Sequence, residues 1–109
     1  MLPPPSVRSA LAAYRARLEL AYPGRIRSLI LFGSVARGEA HEGSDVDVLV
    51  RVDRLGPRER AAIIDEGARV GFETGLPLVP LVLADDEWEH LVQRERLLPI
   101  EIARDGIEA

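Results

Sequence analysis

In residues 45–52 every second residue is valine, and this alternation constrains the fold more than any other stretch of the sequence. Successive side chains of a β-strand point to opposite faces of its sheet, so the alternation predicts a strand with one core-facing side. The residues of that side are Val46, Val48, Val50 and Val52. The other face carries Asp45, Asp47, Leu49 and Arg51, and we expect it to meet solvent or to do chemistry.

Two longer helices are predicted on either side of this strand. Residues 7–22 have apolar side chains at helical spacing, with Ser6 as the N-cap and residues 1–5 as a stiff, proline-rich leader that is not helical. A second helix is predicted to begin at Pro57 and to end at Gly75. Its predicted buried stripe consists of Ala61, Ile64, Ala68 and Phe72.

Short apolar runs supply the remaining strands. They lie at residues 26–32 and 78–83, and Pro80 in the second run predicts an edge position or a bulge because proline cannot donate a ladder hydrogen bond. Further helical segments are predicted at a capping box formed by Asp86 with Glu89 and at residues 97–107. This order predicts an α/β or α+β fold, in which helices flank a small mixed sheet of three or more strands.

The length of 109 residues predicts one domain spanning residues 1–109. Apolar runs fall short of the roughly 18 residues that span a membrane, and the N-terminus lacks a signal-peptide pattern, so we expect a cytoplasmic protein that does not bind membranes. The net charge of −4 argues against binding of nucleic acid through the overall field. Cysteine is absent, which excludes a disulfide scaffold and a cysteine nucleophile.

One constellation predicts a site for a metal and a triphosphate. The first predicted strand ends at Gly33-Ser34, a turn containing Arg37 follows, and the next strand opens with Asp45 and Asp47. Glycine leaves room for a phosphate to approach the backbone, and serine can donate both a hydroxyl and an amide hydrogen to it. Carboxylates two residues apart on a strand face the same side, where they can both reach one or two hard cations.

This constellation resembles a known family. Gly33-Ser34, ten intervening residues and then Asp45-Val46-Asp47 resemble the signature of DNA polymerase β-like nucleotidyltransferases. Arg37-Gly38 and Ser44 resemble the version seen in the minimal nucleotidyltransferase (MNT) group. The resemblance covers nearly the whole chain, and the pattern at residues 102–107 looks like members encoded beside a HEPN-domain partner.

The resemblance implies transfer of AMP from ATP to an acceptor hydroxyl. Asp45 and Asp47 would hold two Mg²⁺ ions, and Gly33 and Ser34 would bind phosphate oxygens. Arg37 and Ser44 would complete the nucleotide site. The implied acceptor is a tyrosine of a HEPN-domain toxin, which this chain would neutralise as its antitoxin in a hetero-oligomer.

One departure from the family pattern leaves the activity open. Related enzymes usually have a third carboxylate on a later strand, but residues 78–83 contain none, and Glu73 and Asp85 are the nearest candidates. One alternative is therefore a nucleotide-binding module that neutralises its partner by complex formation without turnover. Another is a free-standing transferase that modifies a small molecule.

The remaining conspicuous side chains are predicted to be structural. We expect the two histidines, His41 and His90, to lie at the surface. Three of the aromatic residues are expected in the core, namely Phe32, Phe72 and Trp88. A solvated basic face is predicted from Arg51, Arg54, Arg58 and Arg60.

Overall fold

The computed structural model describes residues 3–41, 43–94 and 96–109. These residues form the following elements in chain order: α1 (Pro5–Ala21), β1 (Ile26–Phe32), α2 (Gly33–Ala36), β2 (Val46–Val52), α3 (Pro57–Thr74), β3 (Leu78–Ala84), α4 (Asp85–Gln93), α5 (Leu97–Asp105) and β4 (Ile107–Glu108). Within the described ranges, none of the helices has the length and apolar character that crossing a membrane requires.

The strands form one mixed sheet in the order β3-β2-β1-β4. Strand β2 runs antiparallel to β1 and parallel to β3, and β4 adds an antiparallel pair at the far side of β1. The predicted fold class is confirmed, and so is the edge position of Pro80. Arg60 donates a hydrogen bond to the carbonyl of Val82 on the same edge strand. Proline and this capped carbonyl leave the edge with fewer groups to which another strand could pair.

Helices α1 and α3 cover the valine face of the sheet. The four valines of β2 are at most 2% exposed, which confirms the core-facing side that their alternation predicts. On the opposite face Leu49 is also fully buried, so the expectation that this face meets solvent or does chemistry is wrong at that residue. Tyr14 of α1 is fully buried, and its hydroxyl donates a 2.7 Å hydrogen bond to the carbonyl of Ile63 in α3. Burial raises the pKa of Tyr14 above its usual value, so the side chain remains a neutral donor.

The N-terminal boundary of α1 differs from the prediction. Pro5 is the first helical residue and Pro4 occupies the N-cap position, so the expected Ser6 cap and a non-helical leader reaching residue 5 are wrong. The first N–H groups of a helix have no intrahelical partner, and a proline at N1 therefore loses no hydrogen bond.

The predicted buried stripe of α3 is also wrong. Its buried residues are Ile63, Gly67, Val70 and Gly71, whereas Ala61, Ile64, Ala68 and Phe72 are all exposed. The two buried glycines bring α3 close to its neighbours. A methyl group on Gly67 would lie 3.1 Å from the Tyr14 hydroxyl, and one on Gly71 would lie 2.8 Å from the Leu76 carbonyl. A pattern based on apolar side chains misses contacts made by residues that have none, and Phe72 is consequently 91% exposed instead of being in the core.

Two smaller expectations are corrected at the other end of the sheet. Helix α4 begins at Asp85, one residue before the predicted cap, and Glu87 accepts a 2.9 Å hydrogen bond from the Ala84 N–H. The predicted solvated face holds for Arg54 and Arg58, which are exposed. Arg51 does not belong to it, because its guanidinium stacks 5.0 Å from the ring centroid of Trp88. Arg60 likewise pairs with Glu87 at 2.6 Å.

Candidate functional site

The antiparallel pairing of β1 and β2 brings the two halves of the motif together. Phe32, the last residue of β1, pairs with Asp47, so the turn that starts at Gly33 leaves the sheet directly beside that carboxylate. Gly33 is buried and has a φ of +78°. A Cβ atom at this position would lie 3.2 Å from Asp47 Cγ and would overlap one carboxylate oxygen. Only glycine fits here, for both its backbone conformation and its lack of a side chain.

Backbone hydrogen bonds between residues close in sequence hold the turn after Gly33 in a compact shape. The Arg37 N–H donates to the carbonyl of Gly33 at 3.2 Å, and the Glu39 N–H donates to that of Ser34 at 2.9 Å. Ser34 is half-buried at the start of this turn, next to the Gly33–Asp47 contact. The structure therefore places the Gly-Ser pair where a ligand held by Asp47 would also meet it.

Asp47 lies in an environment that disfavours its negative charge. Desolvation raises the pKa of Asp47, the carboxylates of Asp45 and Glu101 raise it further, and the nearby Arg37 partly opposes the shift. Asp45 is exposed immediately before β2, whereas Asp47 is half-buried within it. A bound cation would relieve the repulsion between these carboxylates.

These two aspartates fit one kind of metal site. In the described part of the chain, no group of three or more His, Asp or Glu side chains is arranged to hold a metal ion by itself. Mg²⁺ commonly takes only one or two protein carboxylates and completes its coordination shell with substrate phosphates and water. Asp45 and Asp47 therefore match a metal that arrives with a triphosphate, and they do not match an all-protein cage.

The third strand has no carboxylate beside Asp47. The residue of β3 in register with Asp47 is Val79, which is 44% exposed. Asp85 follows β3 at its other end, about 20 Å along the sheet by strand geometry, where it pairs with Arg27 at 3.0 Å. Glu73 pairs with Arg17 of α1. Neither candidate from the sequence takes the place of a third carboxylate in this structure.

The other two expected nucleotide-binding residues are engaged in contacts of their own. Arg37 forms ion pairs with Glu39 at 3.0 Å and with Glu101 at 2.7 Å. The Ser44 hydroxyl accepts a 2.9 Å hydrogen bond from the His41 N–H, which closes the loop in front of Asp45. Both histidines are exposed as predicted.

Glu101 is the residue near this site that the sequence does not reveal. It belongs to α5, and its side chain is 23% exposed at the Arg37 contact. In the sequence it is one acidic residue among many in amphipathic segments, 54 positions after Asp47. Only the packing of α5 against the sheet brings it to the motif.

A cavity of about 690 Å³ lies between the first turn of α1 and the loop that precedes β2. Its lining includes Gly38 and Ser44 of the motif together with Val46 and residues 75–77, but neither Asp47 nor Ser34. The proposed chemistry therefore does not rest on this cavity.

Comparison with known proteins identifies the class to which this fold and site belong. A family described as the nucleotidyltransferase domain matches residues 13–103, and the chain belongs to that family. A solved structure described as a "putative minimal nucleotidyltransferase" is 27% identical and covers 93% of each chain, with a TM-score of 0.53. Within the family, the chain is a member of the minimal nucleotidyltransferase group, as the motif predicts.

Two further proteins are similar to parts of this chain or to its fold. A protein of Methanocaldococcus jannaschii named "putative protein adenylyltransferase" is 46% identical over 41 residues, which cover 38% of this chain and 41% of that relative. The match thus spans less than half of that relative's length. A toxin–antitoxin complex solved with AMP-PNP has a TM-score of 0.55 at 16% identity, covering 88% of this chain and 69% of that chain. At this level of identity, the likeness shows the fold alone.

Proposed function

We propose that this protein is a Mg²⁺-dependent adenylyltransferase that transfers AMP from ATP to a hydroxyl group of a partner protein. The observation that supports this most directly is the contact between the Gly33 turn and Asp47, which joins a phosphate-binding turn to a desolvated carboxylate. The membership of the nucleotidyltransferase family and the adenylyltransferase name of one relative agree with it.

In this proposal, the residues of the site bind and orient the reactants. Asp45 and Asp47 hold two Mg²⁺ ions, which supply Lewis acidity and neutralise charge when bound. Gly33 and Ser34 bind phosphate oxygens through backbone N–H groups and the serine hydroxyl, and Arg37 adds positive charge beside them. Ser44 keeps the loop before Asp45 closed. Displacement at a phosphate needs little covalent work from the protein, so positioning and charge account for most of the catalysis.

The proposed acceptor is a tyrosine of a HEPN-domain toxin, and the chain acts as the antitoxin in a complex with it. The toxin–antitoxin complex with AMP-PNP supports this setting, although the description belongs to that neighbour. The surface beside Asp47 is also suited to a protein, because Val79 and Leu81 of β3 are 44% and 37% exposed there. An aromatic side chain can pack on such an open apolar surface while its hydroxyl reaches the carboxylates.

The test is transfer of label from ATP to the protein encoded by the neighbouring gene. The purified chain, Mg²⁺ and the partner should yield labelled partner, and Asp47→Ala should abolish the label. Asp65→Ala is the matched control, because Asp65 is an exposed carboxylate of α3 away from the site. Failure to label any partner, or equal labelling by Asp47→Ala, would contradict the catalytic proposal.

A second function is favoured by Val79 at the position in register with Asp47. With an apolar residue there, the chain would bind nucleotide without turnover and neutralise its partner by covering it. This function predicts that the double variant Asp45→Ala, Asp47→Ala still forms the complex and still inhibits the partner. Loss of inhibition in a double variant that remains folded would count against it.

A further inference from the structure

Arg37 is held by two carboxylates that belong to very different parts of the structure. Its Nε donates to Glu39 at 3.0 Å, and its Nη1 donates to Glu101 at 2.7 Å. The Glu39 side chain is 65% exposed, in the loop that follows α2, whereas the Glu101 side chain is 23% exposed. An exposed ion pair contributes little because solvent screens it, so the contact with Glu101 is the one able to fix the guanidinium.

The helix that contains Glu101 is anchored to the sheet on its C-terminal side. Ile102, the next residue, is buried at 8% exposure. Strand β4 follows the helix and pairs with β1, and the Ala109 N–H donates a 2.8 Å hydrogen bond to the Leu29 carbonyl. Glu101 is therefore fixed relative to β1, the strand from which the Gly33 turn emerges.

We propose that Glu101 is a positioning residue that holds the Arg37 guanidinium beside the Gly33 turn, oriented to receive the triphosphate. This inference rests on the proposed nucleotide-binding function. A guanidinium has five N–H donors, and the contacts with Glu39 and Glu101 engage two of its nitrogens. The contact with Glu101 fixes the direction of the remaining N–H donors of Arg37. The Arg37 side chain therefore loses less conformational freedom on binding a phosphate than an unrestrained arginine would.

The negative charge of Glu101 works against this positioning effect. A carboxylate near a triphosphate repels it, and the same charge raises the pKa of Asp47. Removal of the charge alone should therefore strengthen nucleotide binding, whereas loss of the anchor should weaken it. Two variants separate these effects. Glu101→Gln keeps the oxygen that accepts from Arg37 but is neutral, and Glu101→Ala removes both.

The experiment measures the affinity of the full chain for a non-hydrolysable ATP analogue with Mg²⁺ by calorimetry. Glu101→Ala should bind about tenfold more weakly than the wild type, the size expected for loss of a hydrogen bond to a charged group. Glu101→Gln, which keeps the anchor and lacks the charge, should bind at least as tightly as the wild type. The matched control, Glu39→Ala, removes the exposed partner of Arg37 and should change the affinity by less than about twofold. Alanine is compatible with the helix, and the melting temperatures confirm folding.

A variant pair tests whether Glu101 acts through Arg37. In an Arg37→Ala background, Glu101→Ala should cause no further loss, a result that a purely structural role would not give. The inference is overturned if Glu101→Ala binds as tightly as the wild type or more tightly, or if its effect is undiminished without Arg37. If the wild type itself fails to bind the analogue, the proposed function fails and this inference falls with it. Binding by the wild type together with unchanged binding by Glu101→Ala overturns the inference alone.

Discussion

Replacing Gly33 with alanine should damage the candidate site by a mechanism that can be separated from ordinary backbone strain. The φ of +78° places Gly33 in the left-handed region, which costs other residues about 1–2 kcal/mol. The new methyl group would also overlap the Asp47 carboxylate. Moving that side chain off its rotamer adds about 0.5–1.5 kcal/mol. The free energy of unfolding should therefore fall by about 2–3 kcal/mol, which corresponds to a decrease in Tm on the order of 10 °C or more.

Gly24→Ala provides the matched control. Gly24 has a φ of +72°, but a methyl group there meets no atom within 4 Å, so the variant has the strain without the overlap. In thermal unfolding, Gly24→Ala should show the smaller decrease in the free energy of unfolding, about 1–2 kcal/mol. The decisive measurement is calorimetric affinity for Mg²⁺ with an ATP analogue. The affinity of Gly33→Ala should be at least tenfold lower than that of the wild type, because a displacement of the Asp47 carboxylate by about 1 Å has large effects on a site of this kind. Gly24→Ala should bind with the affinity of the wild type. Equal affinities for the two variants would refute the reasoning.

Three further predictions concern the core, the charge at the site and the third strand. Tyr14→Phe should lower the free energy of unfolding in urea by about 1–2 kcal/mol because it removes the buried hydrogen bond that the Tyr14 hydroxyl donates to the Ile63 carbonyl; a similar decrease in the half-buried Tyr22→Phe would contradict this. Asp47→Asn should melt above the wild type at pH 7 without metal. The raised pKa means that the folded state binds more protons, so wild-type stability falls as pH rises through that pKa. The advantage should vanish below about pH 3.9, the ordinary value for aspartate, and an unchanged difference at low pH would argue against this cause. Val79→Asp should raise the affinity for Mg²⁺ with nucleotide, because it places a carboxylate one strand spacing, about 4.8 Å, from Asp47. Leu81→Asp, two residues along the same strand, is its control and should have the smaller effect.

The sequence alone determined the features that depend on local spacing. The valine alternation of β2 and the apolar run of β1 both match the observed strands, because the two-residue period of a strand is a property of its own backbone. The types of residue around Gly33 and Asp47 also indicate phosphate and metal chemistry by themselves, since that chemistry depends on glycine, serine and carboxylate groups at short spacings. Recognition of the family followed from those same residues, and the comparisons confirm it.

The tertiary structure alone decided which residues meet. Register pairs Phe32 and Val79 with Asp47, and a register depends on the whole sheet and on the turns that join its strands. The buried face of α3 is set by glycines that let backbones approach, a contact that a hydrophobic pattern does not record. Glu101 reaches Arg37 across 64 positions of sequence only because Ile102 and β4 fix α5 on the sheet. A local pattern specifies the conformation of each segment, whereas contacts between distant segments follow from how all of them pack together.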